Sequence, residues 1–249
     1  MSEYNPRRTY GLYNPNSPQP SKISRSKIDL FLKCPKCFYL DRVLGIAQPP
    51  GYPFALNSAV DKLFKKEFDL YRAKHTSHPL MKAYGLDAVP FDDPRMNTWR
   101  DSLRGGITYL HQATNLMIAG GVDDIWINSK GKLIVVDYKA TAKDKEVTLD
   151  AEWQEGYKRQ MEVYQWLLHK NGFSVSETGY FVYCNGKMDR ETFDGKLEFD
   201  VNLLAYEGRT DWVEATIYKL HACLANKTIP RAAGDCDFCR YRMEVRRYD

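Results

Sequence analysis

Residues 133–139 place the strongest constraint on the fold of this chain of 249 residues. Because successive side chains of a strand alternate between two faces, one face would carry Leu133, Val135, Asp137 and Lys139, and the other Ile134, Val136 and Tyr138. A strand that is apolar on both faces is predicted to be central and buried in a sheet. Burying Asp137 and Lys139 at its end is costly unless they pair or bind a metal. This strand end is therefore a candidate functional site.

A hairpin would bring further carboxylates to that strand end. A preceding strand over about residues 121–128 can connect to it through the turn at residues 128–131, where Asn, Ser and Gly favour a tight connection. Asp123 and Asp124 would then lie beside Asp137. A surface hairpin with scattered charges is the alternative interpretation, since short charged motifs also arise by chance.

These residue types suit a hard divalent cation. Mg²⁺ and Mn²⁺ take oxygen ligands and keep several waters, so two or three protein carboxylates suffice, and the carbonyl oxygen of Tyr138 could add one more ligand. Such a metal activates water and neutralises charge on a phosphoryl oxygen. Lys139 could orient or deprotonate the attacking water, or stabilise the phosphate electrostatically. The set therefore predicts phosphodiester hydrolysis.

The segment from about residue 151 to residue 170 has the apolar spacing of a helix. Its recurring positions are Trp153, Tyr157, Met161, Tyr164, Leu167 and Leu168. Gln160 and Tyr164 are four residues apart and so share a face. A glutamine within an apolar stripe requires a hydrogen-bond partner, which singles out Gln160.

In this order, the motifs resemble the PD-(D/E)xK nuclease superfamily, and more narrowly its RecB-like exonuclease branch, which includes iron–sulfur CRISPR-associated exonucleases. Residues 120–123 match the G-x-x-D pattern of that branch, which makes Asp123 the expected ligand and Asp124 its neighbour. Asp137 and Lys139 match the second acid and the lysine. The resemblance assigns Gln160 and Tyr164 to the accessory Q-x-x-x-Y pair, which supports the site and contacts nucleic acid.

The resemblance also implies a ligand from an upstream helix, often a histidine. Asp61 stands where that histidine would be. An aspartate still offers a hard oxygen ligand, so Asp61 is expected either to bind the metal or to be a solvated charge on the helix surface. The implied fold is an α/β, restriction-endonuclease-like three-layer core, with a mixed central sheet flanked by helices.

Four of the six cysteines form two C-x-x-C pairs near the two ends of the chain, Cys34/Cys37 and Cys236/Cys239. Two such pairs can hold one ion or cluster and join the chain ends, and the lack of a visible secretory signal favours metal over disulfides. The cluster-bearing relatives share an entry in which a serine precedes a Cys-Pro pair, which Ser26, Cys34 and Pro35 resemble, but residues 241–249 lack the expected last cysteine. Both [4Fe–4S] and structural Zn²⁺ therefore remain open, as does a redox disulfide.

The length of the chain suits one core. A flexible arm is expected over residues 1–24, which are rich in Pro, Asn and Ser, and a single nuclease domain over residues 25–249. Helices are predicted at about residues 26–40, 56–74, 100–118 and 203–225, with paired strands at about residues 178–184 and 190–199. No run of about eighteen apolar residues is present, and we expect a cytoplasmic protein.

The net charge of +4 is weak evidence for a polyanionic partner. Local clustering is stronger, because the last ten residues contain Arg240, Arg242, Arg246 and Arg247 with Tyr241 and Tyr248, and the N-terminal side adds Arg25, Lys27, Lys33 and Lys36. If the cysteines join the chain ends, these residues form one patch suited to single-stranded or frayed DNA. The sequence thus predicts a metal-dependent DNA nuclease. The alternatives are a non-catalytic nucleic-acid binder with a structural cysteine site and a zinc-ribbon interaction module.

Overall fold

The strand that carries Asp137 and Lys139 lies at the centre of a mixed five-stranded sheet in the computed structural model, which describes residues 7–51 and 55–248. The strands are β1 (Ser21–Ser24), β2 (Ala88–Pro90), β3 (Ile107–His111), β4 (Leu116–Gly120), β5 (Asp124–Asn128), β6 (Leu133–Thr141), β7 (Thr178–Gly186) and β8 (Phe199–Glu207). The helices are α1 (Arg25–Lys33), α2 (Pro35–Arg42), α3 (Ala55–Arg72), α4 (Pro79–Ala83), α5 (Met96–Arg100), α6 (Glu155–Lys170), α7 (Asp211–Leu224) and α8 (Asp237–Val245).

The described chain divides into two compact units. The terminal unit comprises the described parts of residues 1–52, 108–119 and 211–249, and the central unit those of residues 53–107 and 120–210. The single domain expected over residues 25–249 stays a prediction. Of the expected arm, residues 1–6 lie outside the described residues, and residues 21–24 form β1, which pairs in parallel with β4.

In the central unit the strand order is β2-β5-β6-β7-β8. The predicted hairpin is confirmed, since β5 pairs with β6 in antiparallel register, with Ile125 opposite Val135. β6 and β7 are parallel neighbours, with Asp137 opposite Phe181, and α6 forms the connection between them, as a parallel pair requires. β6 therefore has a hydrogen-bonded strand on each side, which is the central position that its apolar sequence predicts.

Helices cover both faces of this sheet. Phe68 of α3 belongs to a buried cluster with Trp126, Ile134, Val136 and Tyr138, so α3 packs on the face of β6 that carries the even-numbered residues. The odd-numbered face carries Asp137, which accepts a hydrogen bond from Gln160 of α6. The result is the α/β three-layer core that the sequence predicts.

The terminal unit contains the sheet β1-β4-β3 and the helices α1, α2, α7 and α8. The helix predicted over residues 26–40 is interrupted at Cys34, whose backbone is extended (φ −162°, ψ 105°). Pro35 follows as the first residue of α2. Proline disfavours helical geometry in the residue before it, and this break directs Cys34 and Cys37 to the cysteine site.

Three predicted elements are wrong. Residues 100–118 are not a helix but the end of α5 followed by β3, a 3₁₀ turn and β4. Gly106 (φ 91°) and Asn115 (φ 50°) adopt the left-handed region, which no helix interior accepts. The strand partner of β7 is β8 at Phe199–Glu207 rather than residues 190–199, and the last long helix begins at Asp211 instead of residue 203.

None of the helices within residues 7–51 and 55–248 is both long enough and apolar enough to cross a membrane.

Candidate active site and cysteine cluster

Within β6, the Asp137 carboxylate is fully buried between two partners. Its Oδ2 pairs with the Nζ of Lys139, and its Oδ1 accepts a 2.7 Å hydrogen bond from Gln160 Nε2. Gln160 also lies 3.1 Å from the hydroxyl oxygen of Tyr164. The structure therefore brings Asp137, Lys139, Gln160 and Tyr164 together, and it provides the partner that a buried glutamine requires.

Gly120, the first residue of the G-x-x-D pattern, lies against the accessory tyrosine. A Cβ at this position would be 2.6 Å from a ring carbon of Tyr164, closer than two carbon atoms can approach without one of them moving. The glycine thus permits the tyrosine ring to pack beside the segment that leads to Asp123.

The Asp123 side chain contacts the backbone of β6 and the side chain of Lys65 in α3. Its Oδ2 accepts a 3.0 Å hydrogen bond from the backbone N–H of Tyr138. Its Oδ1 lies 3.2 Å from the Nζ of Lys65, which also contacts Asp61 at 2.7 Å. Asp61 therefore faces Asp123 across the Lys65 ammonium group, and its expected role as a metal ligand stays a prediction.

The charges of these groups respond to one another. Burial alone would lower the pKa of Lys139, but the carboxylates of Asp137 and Asp123 outweigh it and raise that pKa. The pKa of Lys65 is also raised, because Asp123 and Asp61 outweigh the effect of burial. Burial raises the pKa of Asp61, with Lys65 opposing the shift. Both lysines are consequently ammonium ions at neutral pH.

Asp124, the neighbour of Asp123, belongs to a separate buried network. Its carboxylate is fully buried and accepts hydrogen bonds from Arg72, from Arg100 at 3.0 Å and from the Tyr138 hydroxyl at 2.8 Å. Arg100 also donates to the carbonyl oxygen of Asp123 at 3.0 Å. With its oxygens engaged by cations and a hydroxyl, Asp124 positions the backbone that carries Asp123.

Replacing Asp124 with alanine is expected to lower the free energy of unfolding by about 3–5 kcal/mol, because two buried guanidinium groups lose their shared counter-charge. Urea denaturation followed by circular dichroism measures this loss. Asp69→Ala is the matched control: Asp69 contacts the same two arginines but is 44% exposed, so about 1 kcal/mol or less is expected. Equal losses in the two variants would contradict a structural role specific to Asp124.

A cavity of about 310 Å³ opens beside the candidate residues. It is lined by Asn57, Ser58, Val60, Asp61, Asp123, Tyr138, Lys139, Ala140 and Tyr157. The Nζ of Lys139 lies 4.3 Å from the centre of the Tyr157 ring, a cation–π contact. Lys139 thus lies between a carboxylate and an aromatic ring at the cavity wall.

The carboxylates at this cavity are ligands of the type that a hard divalent cation prefers, but they do not surround a single point. Asp61 and Asp123 line the cavity and offer carboxylate oxygens, the ligands that Mg²⁺ and Mn²⁺ prefer. The buried Asp137, which pairs with Lys139, supplies a third carboxylate, so the carboxylates exceed the charge of the two ammonium groups. Within residues 7–51 and 55–248, however, the cysteine cluster is the only group of three or more His, Cys, Asp or Glu side chains whose ligand atoms lie within 4.8 Å of one another. Lys65 already pairs with both Asp61 and Asp123, so a bound cation would have to share or displace its contacts.

The four cysteines of the C-x-x-C pairs converge in the terminal unit. Their Sγ atoms all lie within 4.8 Å of one another. Measured separations are 3.6 Å from Cys37 to Cys236, 3.6 Å from Cys37 to Cys239 and 3.9 Å from Cys34 to Cys239. No disulfide joins these thiols, and the predicted joining of the N- and C-terminal regions is confirmed.

The thiols differ in how readily they lose a proton. Burial tends to raise the pKa of Cys34, but hydrogen bonds from the backbone of Ala233 and Cys37 and from neighbouring thiols lower it to about 7. Burial raises the pKa of Cys37. Four thiols packed this closely are the donor set of a metal site, whose ligands are thiolates.

Basic residues from the two chain ends meet beside this cluster. Lys36, Arg242 and Arg246 line a cavity of about 330 Å³ together with Cys239 and the apolar side chains of Leu40, Ile229, Ala232 and Met243. The expected basic patch is thus present in part in the terminal unit.

The mixed sheet carries two acids, a lysine and an accessory glutamine at one site, and this combination defines a nuclease core of the PD-(D/E)XK type. The chain belongs to the PD-(D/E)XK nuclease superfamily, whose sequence profile matches residues 55–243. A solved structure described as "Crystal structure of SSO0001" aligns with 89% of this chain and 84% of its own, at 20% identity and a TM-score of 0.43. That similarity is too low to support a functional inference. No curated protein matches the chain.

Three contributors to the site were missed from the sequence. Lys65 could have been found, because it follows Asp61 by one helical turn, the spacing of an ion pair. Tyr157 was assigned only to the apolar stripe of its helix, although it lies three residues before Gln160. No local pattern identifies Arg100 as part of the site, because the sequence predicts that it begins a helix over residues 100–118, which the structure does not contain.

Proposed function

We propose that this protein is a divalent-metal-dependent nuclease that hydrolyses phosphodiester bonds in DNA. The observation that carries the proposal is the Asp137–Lys139 pair on a central strand, with Lys139 and Asp123 at the wall of an open cavity. Membership of the PD-(D/E)XK superfamily supports a nuclease acting on nucleic acid. The order of the motifs supports the RecB-like branch and a setting in DNA repair, recombination or CRISPR-type processing.

Each residue has a role that follows from its contacts. Asp123 and Asp137 would hold Mg²⁺ or Mn²⁺, with Asp61 and the Tyr138 carbonyl oxygen as further ligands, and the metal would activate water and neutralise phosphoryl charge. Because its pKa is raised, Lys139 is a cation suited to stabilising the scissile phosphate. Gln160 fixes the orientation of the Asp137 carboxylate, and Tyr164 supports Gln160.

The experiment that tests this function is a cleavage assay. Protein purified under anaerobic conditions is incubated with end-labelled single- and double-stranded DNA, and with RNA of the same sequence, in Mg²⁺, Mn²⁺ or EDTA. We expect cleavage of DNA that depends on the metal and stops in EDTA, and the product ladder distinguishes exonuclease from endonuclease behaviour. Folded protein that binds DNA and cuts none of these substrates under any condition would overturn the proposal.

An aromatic row beside Lys139 supports a substrate with accessible bases. Trp153 is 54% exposed and contacts the Tyr157 ring edge-on at a centroid distance of 5.4 Å. The Nζ of Lys143 lies 5.0 Å from the Trp153 ring centre. Exposed aromatic rings interleaved with lysines can stack bases and contact phosphates of a single strand.

Replacing Trp153 with alanine is expected to weaken binding of single-stranded DNA about tenfold, which corresponds to the loss of one stacked base. Fluorescence anisotropy in EDTA measures binding without cleavage. Phe193→Ala serves as the control, since Phe193 is another highly exposed aromatic side chain of the central unit. The affinity of this variant for single-stranded DNA should stay at the wild-type value. Wild-type affinity in Trp153→Ala would refute this base-stacking site.

The spacing of the cysteines supports a single ion as the second cofactor. Four thiolates around a tetrahedral Zn²⁺, each about 2.3 Å from the metal, lie about 3.8 Å apart. Three of the thiol pairs here are separated by 3.6–3.9 Å, and all four Sγ atoms lie within 4.8 Å of one another. A [4Fe–4S] cluster binds each cysteine at a different iron and so needs wider spacing. We therefore favour structural Zn²⁺ over the iron–sulfur cluster.

A catalytically inactive nucleic-acid binder is the second candidate. One observation favours it: Lys65 forms an ion pair with Asp123 and Asp61, and such a pair can replace a metal. This candidate predicts DNA binding without cleavage at any metal concentration. The cleavage assay above, extended to high Mn²⁺, separates the two functions.

A further inference from the structure

Lys65 lies between the two carboxylates on its side of the cavity. Its ammonium group is 2.7 Å and 2.8 Å from the two oxygens of Asp61 and 3.2 Å from Asp123 Oδ1. The three side chains are only 22%, 31% and 23% exposed. These contacts are therefore less screened by water than those of a surface ion pair.

The position of Lys65 is fixed by the packing of α3. The neighbouring Phe64 contacts the Tyr138 ring at a centroid distance of 5.1 Å, and Phe68, one turn further on, is fully buried in the core beneath. Asp61 and Lys65 are one turn apart on the helix, so they face the cavity together. The ammonium group is thus delivered to Asp123 by a rigid element rather than by a mobile loop.

The oxygens that Lys65 contacts are those that a divalent cation would need. A carboxylate oxygen bonded to an ammonium group loses part of its capacity to ligate a metal, and two cations at this distance repel each other. We propose that Lys65 is an intrinsic counter-cation of the metal site: it holds Asp61 and Asp123 in place without metal, competes with the incoming cation and so sets the metal concentration that the protein requires. This inference rests on the proposed function, because it needs a divalent cation at Asp123.

Removing the charge of Lys65 should therefore tighten metal binding. Lys65→Met keeps most of the aliphatic side chain and deletes the ammonium group, and Lys65→Gln is a second variant in case methionine perturbs folding. We expect the dissociation constant for Mn²⁺ to fall about tenfold in both variants. The thermal midpoint should be lower than wild type without metal, because Asp61 and Asp123 then repel each other. It should also rise more steeply on adding Mn²⁺.

The titration uses the full chain with its cysteine site loaded, and electron paramagnetic resonance reports free Mn²⁺ directly. Lys66→Met is the matched control, since Lys66 is the next residue of α3 and is exposed, and it should bind Mn²⁺ like wild type. Asp123→Asn should lose binding, which assigns the signal to this site.

Each outcome decides a different point. Tighter binding in both Lys65 variants, with Lys66→Met unchanged, supports the counter-cation. If wild type binds Mn²⁺ through Asp123 and the Lys65 variants bind equally or more weakly, the counter-cation is overturned while the proposed metal dependence stands. If neither wild type nor the Lys65 variants bind Mn²⁺, both the metal dependence and the inference fall.

Discussion

Asp137→Asn is expected to reduce DNA cleavage by at least about a thousandfold, the scale seen when a general acid–base or charge-stabilising group is removed from an active site. Asparagine keeps the shape of the side chain and can still bond Gln160, but it has no charge with which to hold a divalent cation or to pair with Lys139. The initial rate of cleavage of end-labelled DNA, measured at saturating metal, reports the loss.

Lys139→Met tests the other half of the pair and should lower the rate by a similar factor, because the scissile phosphate loses its cation. Lys132→Met is the control: Lys132 is exposed at the hairpin turn and should cleave at the wild-type rate. Both active-site variants should retain the circular dichroism spectrum of wild type. Cleavage above about a tenth of the wild-type rate in folded Asp137→Asn would exclude Asp137 from catalysis.

The part of the site that could be predicted lies where the constraint is local. The alternation along β6 alone assigns Asp137 and Lys139 to one face, because a strand has a period of two wherever it lies in a sheet. Likewise, Gln160 and Tyr164 share a helix face through their spacing alone. The structure adds what the spacing could not give, namely that this face of α6 meets that face of β6.

The errors in the fold occur where the partner is distant in sequence. β4 pairs with β1, which lies 95 residues earlier (Ser21 opposite Leu116), so nothing local marks residues 116–120 as a strand. The signal that the sequence offers against a helix is the presence of Gly106 and Asn115, residue types that adopt the left-handed region most readily, as both do here. Asp124 also has partners that are distant in sequence. Its position in the chain is typical of a metal ligand, but its role depends on Arg72 and Arg100.

Cys37→Ser is expected to release the metal of the terminal unit and to lower its unfolding temperature by about 10 °C or more. Metal binding to four thiolates contributes on the order of 10 kcal/mol to small zinc domains, and losing about 4 kcal/mol of it corresponds to a shift of this size. Because Cys37 is buried and bridges Cys236 and Cys239 at 3.6 Å, its loss opens the cluster on two sides. Elemental analysis and differential scanning calorimetry measure the two effects.

Cys223→Ser makes the same chemical change outside the cluster and should keep the metal. The Cys223 thiol donates to the Pro35 carbonyl oxygen, and serine can donate to that oxygen as well. Elemental analysis of the wild type also identifies the cofactor. About one zinc per chain agrees with the close spacing of the thiols, whereas iron with acid-labile sulfide would establish the cluster and require the thiols to lie further apart than they do here. Retention of full metal content by Cys37→Ser would show that the cysteines converge without forming the site.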